Sequence, residues 1–443
     1  MNEYTKKTIQ MAWPSVLESV SVSLAGMIDV LMVSTISSEA VAAVGLTTQP
    51  KFLGLAFFIA TSVAVSALVA RRKGENNPKE ANQILFSALG LSILVGIVIS
   101  AGCVFFASQI MQFSGSEPVT HKPAVQYFSI VMGCMLFNVI SIIINAAQRG
   151  AGNTKIAMRT NLVSNGVNII FNYLLINGNL GFPKLGIQGA AIATVLGTVV
   201  ASIMSMISLV QSDFFCVRTV FKTNSIAIKK SLINIFKISY SVFAEQVLMR
   251  IGFMSVSIMA AHQGSGAMAA HQVAMNVMSL AFSFGDGMQA ATVALIGQSL
   301  GENKPDKAKL YRKISHKIGA VISVIMAVVY LIFGRRFFGL FFDESYIVDM
   351  GVSIMHMMVL IVLFQISQVI NMGCLRGAGD VLYTTITSTV SVTIIRPLVS
   401  YIMCYILGLG IIGIWIGILL DQISRFTLTT IRFRNDKWTK IKI

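Results

Sequence analysis

The sequence predicts an all-α membrane protein, with twelve transmembrane helices in two six-helix lobes related by a parallel pseudo-two-fold repeat. Three observations predict it. Of the 443 residues, 55% are hydrophobic and 12% are charged, about half the charged share of an average soluble domain, and the mean hydropathy is +0.76. Apolar runs close to the ~20 residues that a bilayer core requires recur along the chain, as at 84–107, 127–147, 187–210 and 384–407. The second half also repeats the first at a constant offset.

The apolar segments fall near 11–35, 46–70, 84–107, 125–148, 157–177, 187–210, 232–261, 269–298, 315–334, 351–375, 382–407 and 411–431. The first follows Lys6 and Lys7 as a signal peptide would. It carries Glu18 and Asp29 and lacks an A-x-A-like cleavage site, so it reads as an uncleaved helix. Basic residues collect in alternate connections, around Arg71 to Lys79, Arg149 to Arg159, Arg218 to Lys230, Lys304 to Lys317 and Arg432 to Lys442. The opposite connections hold little beyond Lys51, Lys122, Lys184, Arg335 and Arg336. Lys and Arg are retained on the cytoplasmic side during insertion, so both termini are expected there, in the cell (plasma or inner) membrane, with an even number of crossings. The formal charge of +16 is therefore a topology signal, and no nucleic-acid partner is expected.

The repeat holds at an offset of 227 positions. Gly74, Glu75, Asn76 and Pro78 match Gly301, Glu302, Asn303 and Pro305; Arg149, Gly150, Ala151 and Gly152 match Arg376, Gly377, Ala378 and Gly379. Within helices, Leu136, Phe137 and Asn138 match Leu363, Phe364 and Gln365, and Ala42 and Ala43 match Ala269 and Ala270. Six helices per copy make the repeat parallel. The expected division is an N-terminal lobe (1–210), a cytoplasmic linker (211–231) able to lie on the lipid surface, a C-terminal lobe (232–431) and a basic tail (432–443). The loop blocks have a second reading, as helix caps and topology signals.

Charges inside spanning segments cost several kcal/mol unless they face protein or water, which makes Glu18, Asp29, Glu245, Arg250, Arg396 and Asp421 the candidates for function. Glu18 and Asp29, eleven residues apart, share one face of the first helix. Glu18 repeats as Glu245, so each lobe places an acid at an equivalent point, expected on the wall of a shared cavity. Asp29 has no acidic counterpart; its position repeats as Val256. Asn165, Asn168 and Asn172 share one face of the fifth helix, and Thr194 adds a hydroxyl from the sixth. An acid among amides and hydroxyls suits proton or sodium exchange, while asparagines also serve as interhelical glue. Arg250 and Glu245 are poorly placed to pair on one helix, so their partners are expected across helices. Asp421 and Arg425 read as an i,i+4 salt bridge without a transport role.

The histidines 121, 262, 271, 316 and 356 form no zinc spacing, and neither a nucleophile elbow nor a Walker A run occurs, so no enzyme activity or cofactor is expected. Five cysteines stand singly and read as apolar fillers. Among 24 methionines, Met249, Met254, Met259, Met275, Met278 and Met288 fall on the seventh and eighth helices. Their flexible side chains suit either a surface that repacks around varied ligands or ordinary core.

These elements together resemble the multidrug and toxic compound extrusion (MATE) family: Pro14, Glu18 and Asp29 followed by EAVAAVGL, then NGVNIIFNYLLI, GIQGAAIAT, AEQVLMRIGF, AAHQVAMN, ALIGQSLGENKPDKA and CLRGAGD. The resemblance covers nearly the whole chain. It implies a two-lobe antiporter, functional as a monomer, that exports amphipathic, often cationic compounds in exchange for protons or sodium ions by alternating access. Asp29 matches the family's acid on the first helix, Asn168 and Thr194 its neighbours at the cation site, and Glu245 its acid on the seventh; with Asn172 these are the expected coupling residues, and Glu18, Glu245, Asn138, Gln365, Gln272, Asn276 and Met249 the expected substrate cavity. A sodium ion would sit at Asp29, Asn168 and Thr194. Asn172 stands where some members carry an Asp on the fifth helix, and Gln365 where others carry one on the tenth, which favours proton coupling. The wider superfamily also contains lipid-linked oligosaccharide flippases, for which a basic cavity would be expected.

Overall fold

The computed structural model describes residues 3–216 and 225–441, and no strand occurs among them. The long helices are α1 (Glu3–Ser34), α2 (Ser38–Gly74), α3 (Pro78–Phe105), α7 (Thr154–Asn177), α8 (Ile187–Val210), α9 (Ser225–His262), α10 (Ser265–Gly301), α11 (Pro305–Gly339), α12 (Ser345–Ala378) and α15 (Gly410–Arg434). Between them lie the short α4 (Ala107–Phe113) and two composite rods. One is α5 (Pro118–Gly133) with α6 (Met135–Gly150), bent by 48° at Cys134. The other runs from α13 (Val381–Thr389) through α14 (Arg396–Tyr401), with π-helical turns at Val390–Ile395 and Ile402–Ile406.

Among the described residues, nine helices are long and apolar enough to cross a bilayer, and the bent pair makes a tenth. The sequence leads one to expect twelve. The other two long helices, α7 and α10, fall short in apolarity rather than length. Helix α7 carries Asn161, Asn165, Asn168 and Asn172, and α10 carries His271, Gln272, Asn276, Asp286 and Gln289. Polar residues in such numbers require protein or water around them rather than lipid.

Packing divides the chain into two compact units: an N-terminal unit, Leu17–Ser239, and a C-terminal unit in which Met1–Val16 joins Tyr240–Ile443. In the N-terminal unit α8 lies against α7 so closely that a Cβ on Gly197 would meet the Ser164 carbonyl oxygen at 2.9 Å. In the C-terminal unit α15 presents Gly413, Gly417, Asp421 and Arg425, each four residues after the last, as one stripe. The two glycines let the backbones touch: a Cβ on Gly417 would stand 2.8 Å from the Arg396 carbonyl oxygen and 2.1 Å from Ser400 Oγ. That approach seats Asp421 beside Arg396.

The repeat recurs in backbone geometry. Asn76 and Asn303 adopt left-handed conformations with φ of 54° and 55°, and Gly152 and Gly379 do so at 92° and 91°. The loop blocks are therefore helix-terminating turns, and Asn77 begins α3 by accepting the Glu80 amide at 3.1 Å. Deeper contacts follow the same offset: Ser164 Oγ donates to the Gly197 carbonyl at 2.8 Å, and Ser391 bonds Ser424 at the corresponding places. Each unit also folds the chain that follows its last long helix back onto itself. The Cys216 amide donates to Asn82 Oδ1 at 3.0 Å, and Lys309 pairs with Asp436 at 2.7 Å, with Trp438 buried against Phe433. Arg218 and Lys222 of the expected surface linker, and Lys442 of the tail, lie outside the described residues.

Gly417→Leu should lower the unfolding midpoint of the purified protein by an amount at or above the upper end of the roughly 1–3 kcal/mol typical of overpacking, because backbone rather than a mobile side chain stands in the way. Gly102→Leu, where nothing lies within 4 Å, should be silent in the same melt.

Candidate functional site

In the N-terminal unit, three helices bring four of the expected residues together. Asp29 lies on α1, Asn168 and Asn172 on one face of α7, and Thr194 on α8. Asn172 Nδ2 donates to Asp29 Oδ1 at 2.6 Å and, at a longer 3.4 Å, to Asn168 Oδ1. Asn168 Nδ2 in turn donates to Thr194 Oγ1 at 3.4 Å, and Thr194 donates to the Ala190 carbonyl at 3.0 Å. Asn172 Oδ1 is buried and accepts no hydrogen bond. A buried acceptor left without a donor beside a carboxylate marks a place suited to a cation or a proton donor. Asn165, on the same helical face, is not joined to this chain of bonds; its Nδ2 is buried without an acceptor. Among the described residues no three His, Cys, Asp or Glu side chains cluster as a metal site. The chemistry on offer is one carboxylate with neutral oxygens, which can hold a proton or a hard monovalent ion.

Three further candidate acids, Glu18, Glu245 and Asp421, have cationic partners. Glu18 Oε1 accepts from Arg149 Nη1 at 2.8 Å and from Asn161 Nδ2 at 2.7 Å. Glu245 accepts from Arg376 Nη2 through both oxygens, at 2.8 and 3.0 Å, and from Thr385 Oγ1 at 3.4 Å. The pairs are the same pair twice, since 18 + 227 = 245 and 149 + 227 = 376, and each joins residues 131 positions apart. The offset contained this signal. The offset relates the acids to each other and the arginines to each other, while the 131 positions between partners give no local cue to the pairing. Glu245 lies in the C-terminal unit with its own arginine and takes no part in the Asp29 chain of bonds.

The C-terminal unit holds a third cluster. Asp421, on α15, is fully buried, and its Oδ2 accepts from Arg396 Nε at 3.1 Å and Arg425 Nη2 at 2.8 Å. The expected i,i+4 bridge to Arg425 is present, and the sequence did not reveal that Arg396 shares the same carboxylate. Arg396 also stacks on Phe253, 4.6 Å from the ring centroid. Two guanidiniums on one carboxylate leave the cluster one positive charge in excess. Position 421 repeats position 194, so the C-terminal unit carries a salt-bridged acid where the N-terminal unit carries Thr194. Of the remaining candidates, Gln365 is buried with its Oε1 unpartnered, Asn138 and Met249 are half-buried, and Gln272 and Asn276 are exposed.

A family model described as MatE matches residues 14–174 and 241–402, two stretches whose starts are 241 − 14 = 227 residues apart. The chain is 26% identical to the Probable multidrug resistance protein NorM of Thermotoga maritima, with 99% of this chain and 94% of that protein covered. It is 25% identical to the Multidrug resistance protein NorM of Vibrio cholerae, covering 95% and 93%, and 26% identical to the Uncharacterized transporter YisQ of Bacillus subtilis, covering 98% and 95%. The fold matches the outward-facing conformation of a multidrug resistance MATE family transporter with a TM-score of 0.91 at 21% identity, over 99% of this chain and 98% of that one. It matches a MOP superfamily transporter from Pyrococcus furiosus with a TM-score of 0.90 at 21% identity, over 100% and 98%.

Replacing Arg376 with Met should cost about 3–5 kcal/mol of stability, the scale of a buried carboxylate stripped of its partner. The double variant Arg376→Met with Glu245→Gln should recover most of that loss in a double-mutant cycle read by thermal unfolding.

Proposed function

Because the chain belongs to the MatE family, we propose that it is a secondary active efflux transporter that exports amphipathic or cationic organic compounds by antiport, with Asp29 as the exchanging acid. The observation that carries this reading is the contrast between partners: Glu18, Glu245 and Asp421 each face a guanidinium, whereas Asp29 faces the neutral Asn172 amide. A carboxylate locked to an arginine keeps its charge through a cycle. One held by an amide loses little when it takes up a proton, because the amide can bond either form. Proton uptake on one side of the membrane and release on the other then biases which arrangement of the protein is favoured, through differential affinity alone.

The protein works as a monomer in the cell membrane, with both termini cytoplasmic, as the alternation of basic connections supports. It binds its organic substrate and lipid and no resident cofactor. The multidrug names carried by its relatives support the substrate class. A flippase for lipid-linked oligosaccharides would call for free basic groups, whereas Arg149 and Arg376 are consumed by Glu18 and Glu245.

In proteoliposomes carrying an imposed proton gradient, Asp29→Asn should reduce export of a fluorescent organic cation at least about tenfold, the scale set by losing one exchanging group. Binding of the same cation to the detergent-solubilised variant should persist. Export at the wild-type rate would refute Asp29 as the coupling acid.

A further inference from the structure

Among the charges that the N-terminal unit carries within its helices, the repeat turns one acid and one lysine of the apolar spans into core residues. Asp29 becomes Val256 and Lys51 becomes Met278. Both replacements are buried in the continuous apolar core of the C-terminal unit, as are Ile354, Ala260 and Ala267, the counterparts of Tyr127, Val33 and Ala40. The repeat thus sets a carboxylate and an ammonium, opposite in sign, into positions that belong to one dry core in the other unit.

The Tyr127 ring clusters with Val33, Ile176 and Ala190. Each of these lies one helical turn from a residue of the candidate site: Val33 four after Asp29, Ile176 four after Asn172, Ala190 four before Thr194. All three displacements run the same way along the unit, toward the ends of α1 and α7 and the start of α8, so Tyr127 closes the site on that side. The Lys51 ammonium rests over this ring, 5.0 Å from the centroid. It reaches there from within α2, beside the helix-interior Pro50. The cation–π contact holds the charge near the site without letting it occupy the carboxylate. Around Asp29, α7 supplies amides, α8 supplies Thr194 and no ionisable residue, and α5 supplies Tyr127.

We propose that Lys51 is a specificity-determining residue of this ion site, a tethered positive charge that lets Asp29 take a proton and makes it refuse sodium. The proposal rests on Asp29 as the exchanging acid and adds which ion is exchanged and why. Magnitude separates the two ions. A neighbouring unit charge weakens cation binding at a partly buried carboxylate by about tenfold. A proton tolerates that as a shift of about one pH unit. A sodium ion would have a single carboxylate and neutral oxygens with which to replace its water shell, so its affinity is weak at the outset and the same factor removes it from the working range.

The test is a thermal-unfolding titration of the purified full-length protein at alkaline pH, with NaCl exchanged for KCl at constant ionic strength. Wild type and Lys51→Arg should show no sodium-specific stabilisation. Lys51→Met should acquire a saturable one, with sodium affinity raised at least about tenfold, and adding Asp29→Asn should abolish it. Lys51→Gln serves as the second neutral variant if the methionine protein folds poorly. The proposal is overturned if both neutral variants stay blind to sodium, if the wild type already responds, or if arginine behaves as methionine does. Failure of the coupling reading shows itself elsewhere, as gradient-driven export that survives Asp29→Asn, because the titration requires no transport.

Discussion

A charge inside a bilayer must find a partner, and that requirement organises this protein more than any other interaction. Hydrocarbon supplies no compensation, so an unmatched carboxylate costs several kcal/mol and is retained only where something balances it. Three acids meet the requirement in the direct way: Glu18 with Arg149, Glu245 with Arg376, and Asp421 with Arg396 and Arg425. Such pairs hold helices in register, since breaking one strands the other charge. They also join distant parts of the chain. The first two pairs tie α1 to the end of α6 and α9 to the end of α12, across 131 positions each. Asp29 is the exception, balanced by an amide, and the proposed function follows from that exception.

The repeat shows what the scaffold fixes and what it leaves open. Both units keep the left-handed turns at Asn76 and Asn303, the carboxylate–arginine pair, and the serine contacts at 164 and 391. These are the terms that specify the bundle. Between them, the two units fill one location differently. The N-terminal unit gathers Asp29, Asn168, Asn172 and Thr194; the C-terminal unit sets Asp421 at the Thr194 position and fastens Arg396 to it. A guanidinium built into the chain occupies its carboxylate permanently and cannot be exchanged. The C-terminal unit thereby holds a fixed charge where the N-terminal unit holds the acid proposed to exchange.

How far this was legible in the sequence depended on the range of the interaction. Helices, their number to within the two polar ones, and the repeat are written in apolar periodicity and in blocks such as Gly-Glu-Asn and Arg-Gly-Ala-Gly. Asp29, Asn168, Asn172 and Thr194 were legible because polar residues are rare enough in spanning segments to stand out, and the fold does join them. The arginine partners were hidden. Arg149 and Arg376 sit where basic residues also report topology, so their pairing was masked by a sufficient local explanation. Arg396 reads from sequence as a residue before proline, and only the glycine stripe of α15 brings Asp421 close enough to claim it. Lys51 reads from sequence as a residue of the outer connections, yet it lies within α2 against the Tyr127 ring.

One exchanging acid also bounds what the proposed antiporter can do. If Asp29 alone changes protonation, each cycle returns a single proton. The available free energy is then about 1.4 kcal/mol per pH unit, with about 2.3 kcal/mol per 100 mV added only when net charge crosses. For a monovalent organic cation the exchange is electroneutral, so the membrane potential contributes nothing and each pH unit sustains about a tenfold concentration ratio. For a neutral compound the same proton carries one net charge and the potential does contribute, giving a steeper ratio. A second free acid would have raised the ceiling for both. Glu18, Glu245 and Asp421 are each tied to an arginine, so the proposed exchange draws on Asp29 and the pairs serve the bundle.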